Sequence, residues 1–409
     1  MHLALVTHHY EPETNAPQRR WSAFVSRFVA AGHRVTVLAP PPHYPTGRAP
    51  ALTADLRPGA VTRGRYGETV CRVRFREHDA RLVARSLDQM VAAHSSVSTG
   101  LRLLRGADRP DLVLATAPGL PSVPAGMTLA ALLRRPVVVE MRDAWPDLIA
   151  PSQMLGPDGG WRTRATRSAH RAVTALQRHA SAVVTTTVSF ADVLRMRGVG
   201  NVAVIRNGAH VMGLPALDPP SLVRHPAVLR VLYLGNLGRS QGLTTAVTAA
   251  SLARRRGLDL TLRMVGSGAE AESLHLLAAH LDAPVEFCDR VPWDRVVDHY
   301  RWADTALVSL RSWAPFAWTV PSKLYEILAV NRHISAATRG ESAQVLADAK
   351  AGDVVPPESP QALADLWVRL AAERVPLDVA GRGRAWVSDH ADHDSLALHY
   401  LDLLEAVRS

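Results

Sequence analysis

Three short segments in the second half of this 409-residue chain carry residue types suited to holding anions. Gly235-Asn236-Leu237-Gly238-Arg239-Ser240-Gln241-Gly242 follows the apolar run Leu229 to Leu234 and precedes a helix-period stretch. Backbone N–H groups exposed in such a turn cradle phosphate oxygens, and Arg239 offers a bidentate partner. A tight turn whose glycines merely permit positive φ is the plainer alternative. Val265-Gly266-Ser267-Gly268-Ala269-Glu270 ends the next apolar run in the same way, with the same alternative.

The third segment, Val320-Pro321-Ser322-Lys323-Leu324-Tyr325-Glu326, places Pro321 at the entry, Ser322 at the N-cap and Lys323 in the first turn of a helix. A cation there opposes the helix dipole unless an anion sits in front of it. Glu326, three residues on, lies on nearly the same helix face. A carboxylate there accepts the hydroxyl protons of a cis-diol such as ribose, while Ser322, Lys323 and Arg239 hold phosphates. A Lys323–Glu326 surface pair, or a helix cap, is the competing reading. Lysine is otherwise almost absent, since the chain has 45 Arg and only Lys323 and Lys350, the latter in no motif.

The elements that position these segments alternate between short β-branched runs and helix-period stretches. Leu3–Thr7, Val35–Ala39, Leu112–Thr116, Val137–Met141 and Val183–Thr187 read as strands of a parallel sheet. Between the first two, Ala16–Ala31 places Trp21, Phe24, Val25 and Phe28 at helical spacing and ends in Gly32, a C-cap residue. A Pro-rich lapse over 211–226, with Pro215, Pro219, Pro220 and Pro226, reads as a linker. The βα scheme then restarts with strands at Leu229–Leu234, Leu260–Val265, Val285–Cys288, Thr305–Ser309 and His333–Ala336. The economical architecture is α/β: two Rossmann-like domains, 1–210 and 227–390, facing each other across a cleft, with ligands at the carboxyl ends of the strands. The apolar face of 391–409 predicts a final helix packing back on the first domain.

Composition narrows the function further. Met1–Pro215 holds 27 Arg against 14 acidic residues, a balance of +13, whereas 216–409 holds 20 basic and 23 acidic residues, a balance of −3. Coding bias toward arginine would raise both halves alike, so the basic first half fits anionic lipid headgroups or a phosphorylated acceptor. No basic stripe with stacking aromatics, zinc-finger spacing or recognition helix points to nucleic acid. The two cysteines, Cys71 and Cys288, are too few for a disulfide framework or a Cys-based zinc site. With no secretory leader pattern, a cytoplasmic protein is expected. The longest apolar stretch, Leu112–Leu133, is broken by prolines and glycines and reads as strand, loop and helix rather than a membrane span. In the tail, His390, Asp392, His393, Asp394 and His399 have no recognised ligand spacing, so no metal is expected.

Taken in order, Tyr10-Glu11-Pro12-Glu13, Gly32-His33-Arg34-Val35, Arg142-Asp143-Ala144-Trp145-Pro146-Asp147, the Gly235 to Gly242 turn, Pro321 to Glu326 and Gly340-Glu341 resemble family-4 retaining glycosyltransferases of the GT-B fold, most of all the bacterial polysaccharide and fucosamine-transferase-like branch. The resemblance covers Met1 to Pro357. It implies transfer of a hexosyl or N-acetylhexosaminyl group from a nucleoside-diphosphate sugar, UDP-linked, to a hydroxyl, with no obligatory metal and no cofactor. The acceptor implied is a polyprenyl-linked glycan, a cell-surface glycan or a secondary-metabolite glycoside, met in the cytoplasm or at the inner face of the plasma membrane.

Carried over by residue, the resemblance makes Arg239 the diphosphate arginine and Glu326 the ribose carboxylate. Gly235, Asn236, Gly238, Pro321, Ser322 and Leu324 form the pyrophosphate cradle, and Gly266, Gly268, Arg290 and Val291 lie near the base. Asn15, Ala16, Arg142 and Asp143 fall on the acceptor side, with Asp143 orienting acceptor or donor sugar. Two positions depart from the family pattern: Trp318 stands where many members have a sugar-binding Glu, and Gln241 where many have a phosphate-binding Lys. Lys323 then supplies the missing cation, making Asp143, Arg239 and Lys323 the expected catalytic set. A nucleotide-sugar epimerase of the same architecture and an inactive nucleotide-sugar-binding partner are the alternatives.

Overall fold

The structure is a computed structural model that describes residues 1–13, 15–44, 46–49, 52–79, 82–151, 160–221 and 228–409. The chain divides into two compact units, Met1–Arg206 with Asp394–Ser409, and Asn207–His393.

The first unit contains β1 (His2–Val6), α1 (Ala16–Ala30), β2 (Arg34–Ala39), β3 (Val61–Arg63), β4 (Thr69–Arg72), α2 (Leu82–Leu103), β5 (Leu112–Ala117), α3 (Ser122–Leu133), β6 (Val137–Met141), α4 (Gly160–His179), β7 (Ala182–Thr185), α5 (Val188–Met196) and β8 (Val202–Val204). Its sheet runs β3-β4-β2-β1-β5-β6-β7-β8, parallel except where β3 meets β4. Every residue of β1, β5 and β6 is buried. Helices on both faces of a parallel sheet impose that burial, which is why these strands read as continuous apolar runs. Between β2 and β5, the chain leaves β1 at a topological switch point, where loops after neighbouring strands diverge.

Asn15 caps α1, its Oδ1 accepting from Gln18 N at 2.8 Å. Ala31 closes the helix, and the expected cap residue Gly32 follows at φ +83. The C-terminal helix, His393–Arg408, brings Tyr400 against Trp21, Phe24 and Phe28, with ring centroids 6.0, 5.4 and 5.9 Å away. The Tyr400 hydroxyl donates to Glu140 Oε2 at 3.2 Å, and that fully buried carboxylate also pairs with Arg20 Nη2 at 3.0 Å. Thr116 Oγ1 donates to its other oxygen, and Arg20 reaches on to the carbonyl of Ile205. One side chain on β6 therefore joins α1, β5, the C-terminal helix and the strand exit of this unit.

The second unit contains β9 (Leu229–Leu234), α6 (Thr244–Arg255), β10 (Leu260–Val265), α7 (Ala271–His280), β11 (Val285–Cys288), α8 (Trp293–Trp302), β12 (Thr305–Ser309), α9 (Ser322–Ala329), β13 (His333–Ala337), α10 (Glu341–Ala349), β14 (Gly352–Val355), α11 (Pro360–Glu373) and α12 (Arg382–His390). Its sheet, β11-β10-β9-β12-β13-β14, is parallel throughout. Part of the stretch expected as linker is packed into this unit: Val211, Leu214 and Leu217 are buried in its core, and Arg384 donates to the carbonyls of Val211 and Leu214. Residues 222–226 of that stretch, Pro226 included, lie outside the described residues.

The tail residues are similarly absorbed by structure. Asp392 accepts from Val211 N, His393 contacts the carbonyl of Asn207 and His390 stacks on Trp386. Both cysteines are free. Among the described residues, no helix is long and apolar enough to cross a membrane, and Leu112–Leu133 divides into β5, a loop and α3.

Replacing Tyr400 with Ala removes a fully buried ring and one donor to Glu140. Equilibrium urea unfolding of the variant is expected to show a loss of about 3–5 kcal/mol, as for other buried aromatics cut to Ala.

Candidate functional site

At the carboxyl edge of the second sheet, the turns after β9 and β10 meet backbone to backbone. Gly235 N donates to Val265 O, Leu237 N to Ser267 O and Glu270 N to Leu237 O, each at 2.9 Å. A Cβ at Gly266 would stand 1.9 Å from Gly235 O, and one at Gly268 would stand 2.4 Å from Leu237 O. Gly235 and Gly266 also take φ of +143° and +147°, where side-chain-bearing residues are strained. Gly266 N donates to Cys288 O, so the end of β11 adjoins this turn, with exposed Arg290 and half-buried Val291 just beyond it.

The helix α9 delivers Lys323 to the same place. Its Nζ lies 3.8 Å from the centroid of the Tyr233 ring, and 2.8 Å from where a Cβ on Gly235 would be. Tyr233 is itself held by donating to Asn236 O at 2.6 Å. Burial pushes the Lys323 ammonium down to about 7, against a smaller upward pull from Glu326. Among the described residues the structure gives Lys323 no salt bridge.

The start of α9 corrects one expectation. Pro321, not Ser322, occupies the N-cap position, with φ −61° and ψ 136°, and no side chain caps the helix. The proline ring presets that φ, so Ser322 is drawn into the first turn and the leading N–H groups lack a side-chain acceptor. Leu324 offers no free atom: its side chain is fully buried in the core and its N–H donates to Pro321 O at 3.0 Å. Glu326 is half-buried on the same helix, and Trp318 ends the short turn Ala314–Trp318.

Arg239 is exposed at the head of the turn Arg239–Gln241. That turn is pinned by Arg311, a residue without any sequence motif. Arg311 Nε donates to Arg239 O at 2.6 Å, its N–H to Ser240 O at 3.0 Å, and its guanidinium contacts Glu270 and Glu358, each at 3.4 Å. The structure thus gathers Gly235, Asn236, Gly238, Gly266, Gly268 and Lys323 at one edge. Glu326 acts on that edge through its charge, pulling the Lys323 ammonium upward.

In the first unit, Arg142 and Asp143 follow β6. Burial, then Arg20, draws Arg142 down to about 10, still charged, while burial raises the Asp143 carboxyl and Arg142 partly opposes that rise. Asn15 is committed at both ends: beyond its capping bond, Nδ2 donates to Glu13 Oε2 at 2.8 Å. Ala16 opens α1.

Glu13 is the hub of the loops after β1 and β2. It takes His9 Nδ1 at 2.7 Å and the backbone N–H groups of His43 and Tyr44 at 3.0 and 3.1 Å. Burial pushes its carboxyl up, but these contacts outweigh it and hold the group down at about 2. Beside it, His8 and His43 converge on buried Asp88. Burial lowers His8 to about 4, whereas at His43 the downward push of burial is outweighed by Asp88 and the Pro41 carbonyl. The sequence reading missed this cluster. Paired histidines directly after the first strand were a signal, but Asp88 on a distant helix carried none.

Residues 229–373 match the family described as Glycosyl transferases group 1, and residues 15–208 match the one described as Glycosyl transferase 4-like domain. Sucrose-phosphate synthase from Thermosynechococcus elongatus is similar in structure, at 18% identity and TM-score 0.76, over 99% of this chain and 98% of that one. Anabaena HepE in complex with UDP-glucose is similar at 15% identity and TM-score 0.68, over 99% and 100% of the two chains. An E. coli structure, trehalose-6-phosphate bound with UDP-2-fluoro glucose, is similar at 9% identity and TM-score 0.69, over 100% and 99%. No curated protein matches in sequence. The structural likenesses span both units and show the GT-B fold. With one family match falling on each unit, the chain belongs to the glycosyltransferases built from a 4-like domain followed by a group 1 domain.

Proposed function

We propose that the protein is a retaining glycosyltransferase that moves a hexosyl or N-acetylhexosaminyl group from a UDP-linked donor to a hydroxyl acceptor. The observation that carries this reading is the Lys323 ammonium, desolvated over Tyr233 and against Gly235 at an uncapped helix start. Lys323 is half-buried, and its desolvation outweighs the pull of Glu326, so a ligand anion would stabilise it; such groups cluster at binding sites. A diphosphate in front of α9 meets Lys323, the helix N–H groups and Arg239 together. Glu326 then takes the ribose hydroxyls, and the base lies toward Gly266, Gly268 and the Arg290–Val291 turn. The UDP-glucose held by HepE and the UDP-2-fluoro glucose of the E. coli structure support a uridine diphosphate donor.

In the proposed reaction the acceptor hydroxyl enters on the face from which the diphosphate leaves. The bond from acceptor oxygen to anomeric carbon forms as the bond to the diphosphate breaks, and the acceptor proton passes to a leaving-group oxygen. Arg239 and Lys323 stabilise the developing negative charge, so no obligatory metal is invoked for that task. Arg142 and Asp143 orient the acceptor or the donor sugar.

The first unit suits an acceptor presented at an anionic membrane, such as a polyprenyl-linked glycan. Its helix α4 has no acidic residue, exposes Arg164, Arg167, Arg171 and Arg178, and begins beside Trp161, which is 65% exposed. A basic amphipathic helix with an exposed tryptophan is the pattern of an interfacial helix. This pattern supports an enzyme that works at the inner face of the plasma membrane.

Release of UDP from a panel of UDP-sugars is expected to fall by about 10²–10³ in kcat for Lys323→Ala, the scale of losing one donor to a developing anion. The melting temperature should not fall, because the substitution removes a desolvated charge; wild-type turnover by the variant would refute the role. Affinity for UDP should also depend on pH in a way Lys323 dictates. Below about 7 the free protein already carries the ammonium. As pH rises above that value binding must take up a proton, so titration calorimetry should show affinity weakening by up to about tenfold per pH unit, and a flatter profile in Lys323→Ala. Sedimentation with vesicles of anionic phospholipid should show binding that falls with added salt, and that Arg164→Glu with Arg167→Glu reduces.

A further inference from the structure

We infer that the first unit holds a transition-metal ion, of the zinc class, between His8, His43 and Asp88. His8 Nε2 lies 3.1 Å and His43 Nε2 3.2 Å from Asp88 Oδ2, and the three donor atoms all fall within 4.8 Å of one another. Bonds of about 2.0 Å at tetrahedral angles put donors about 3.3 Å apart, which the two nitrogen–oxygen spacings match. The three residues are 4%, 3% and 0% exposed, and they come from the loop after β1, the loop after β2 and α2.

Hydrogen bonding alone does not account for the arrangement. Asp88 Oδ2 is buried and accepts no aligned hydrogen bond, although two imidazole nitrogens lie 3.1 and 3.2 Å from it. The outer contacts are those of a ligand shell. His43 Nδ1 lies 2.8 Å from Pro41 O and so carries a proton, and in the neutral imidazole the Nε2 lone pair then faces the carboxylate. A lone pair and a carboxylate repel unless a cation lies between them. Asp88 Oδ1 is meanwhile held by Arg76 N at 2.9 Å, which aims Oδ2 into the cluster. His78, with Nε2 3.9 Å from Asp88 Oδ2, supplies a fourth position after a small movement. Two or three imidazoles with one carboxylate suit zinc rather than calcium or magnesium, which prefer all-oxygen sets.

The ion ties the two loops that Glu13 also joins, and thereby sets the shape of the loops at the carboxyl ends of β1 and β2. The alternative is an imidazolium at His43 donating to both Pro41 and Asp88, which has no capacity for a metal.

The full-length protein, stripped with chelator, is to be titrated with Co²⁺ and then Zn²⁺. One equivalent of Co²⁺ should give the intense visible bands of tetrahedral coordination, bleached by Zn²⁺, and Zn²⁺ should raise the melting temperature. Asp88→Asn should abolish the bands, His78→Ala should weaken binding by about tenfold or more, and exposed His390→Ala should change neither readout. Absence of tetrahedral bands in the wild-type protein, or a melting temperature indifferent to Zn²⁺ and chelator, overturns the inference without reference to any variant. So does Co²⁺ uptake that Asp88→Asn leaves intact, which would mark adventitious binding by surface histidines.

Discussion

The carbonyl oxygen of Gly235 stands 1.9 Å from where a Cβ on Gly266 would be, and the carboxyl edge of the second sheet is organised around that approach. Two strand-to-helix turns can touch backbone to backbone only because neither carries a side chain at the contact. The room left beside Gly235 is filled by Lys323, whose ammonium comes to rest on the Tyr233 ring. Attraction between a cation and an aromatic face offsets part of the desolvation, and Glu326 adds a smaller pull.

Other buried charges in the molecule are handled differently. Glu140 is matched by Arg20 and two hydroxyls, Asp304 by Arg374 at 2.9 Å, and Glu13 by four donors. These groups do structural work: breaking any one leaves an uncompensated charge in a dry interior, which is why such pairs persist even where an apolar substitute would be as stable. Lys323 follows the opposite rule. Asp88 Oδ2 is another exception, buried 3.1 and 3.2 Å from two imidazole nitrogens yet accepting no aligned hydrogen bond.

Arg311 illustrates how a glycine-rich turn is made rigid from outside it. Its contacts to the backbone of Arg239 and Ser240, and to Glu270 and Glu358, fix a short helical turn that glycines alone would leave loose. Arg239 is thereby presented on a fixed backbone with an exposed side chain.

Much of this architecture was legible in the chain. Continuous apolar runs marked the buried parallel strands, because a strand covered on both faces has no polar side to show, and the restart at Leu229 announced the second sheet. Gly235, Gly266, Gly268, Pro321 and Lys323 were each readable, because backbone approach, helix entry and an adverse charge at a helix start are local constraints that only certain residue types satisfy. The identity of the N-cap was not readable, since the ψ of Pro321 depends on how the chain arrives from β12. Nor was the packing of Val211, Leu214 and Leu217 into the second unit, because prolines announce an irregular path without saying what it rests on. The cluster of His8, His43 and Asp88, the tie from Tyr400 to Glu140 and the bracing by Arg311 join residues tens to hundreds of positions apart. Sequence by itself determined the elements and their local chemistry; only the tertiary structure decided which distant charges meet, because that depends on strand order, and strand order is not written in any local pattern.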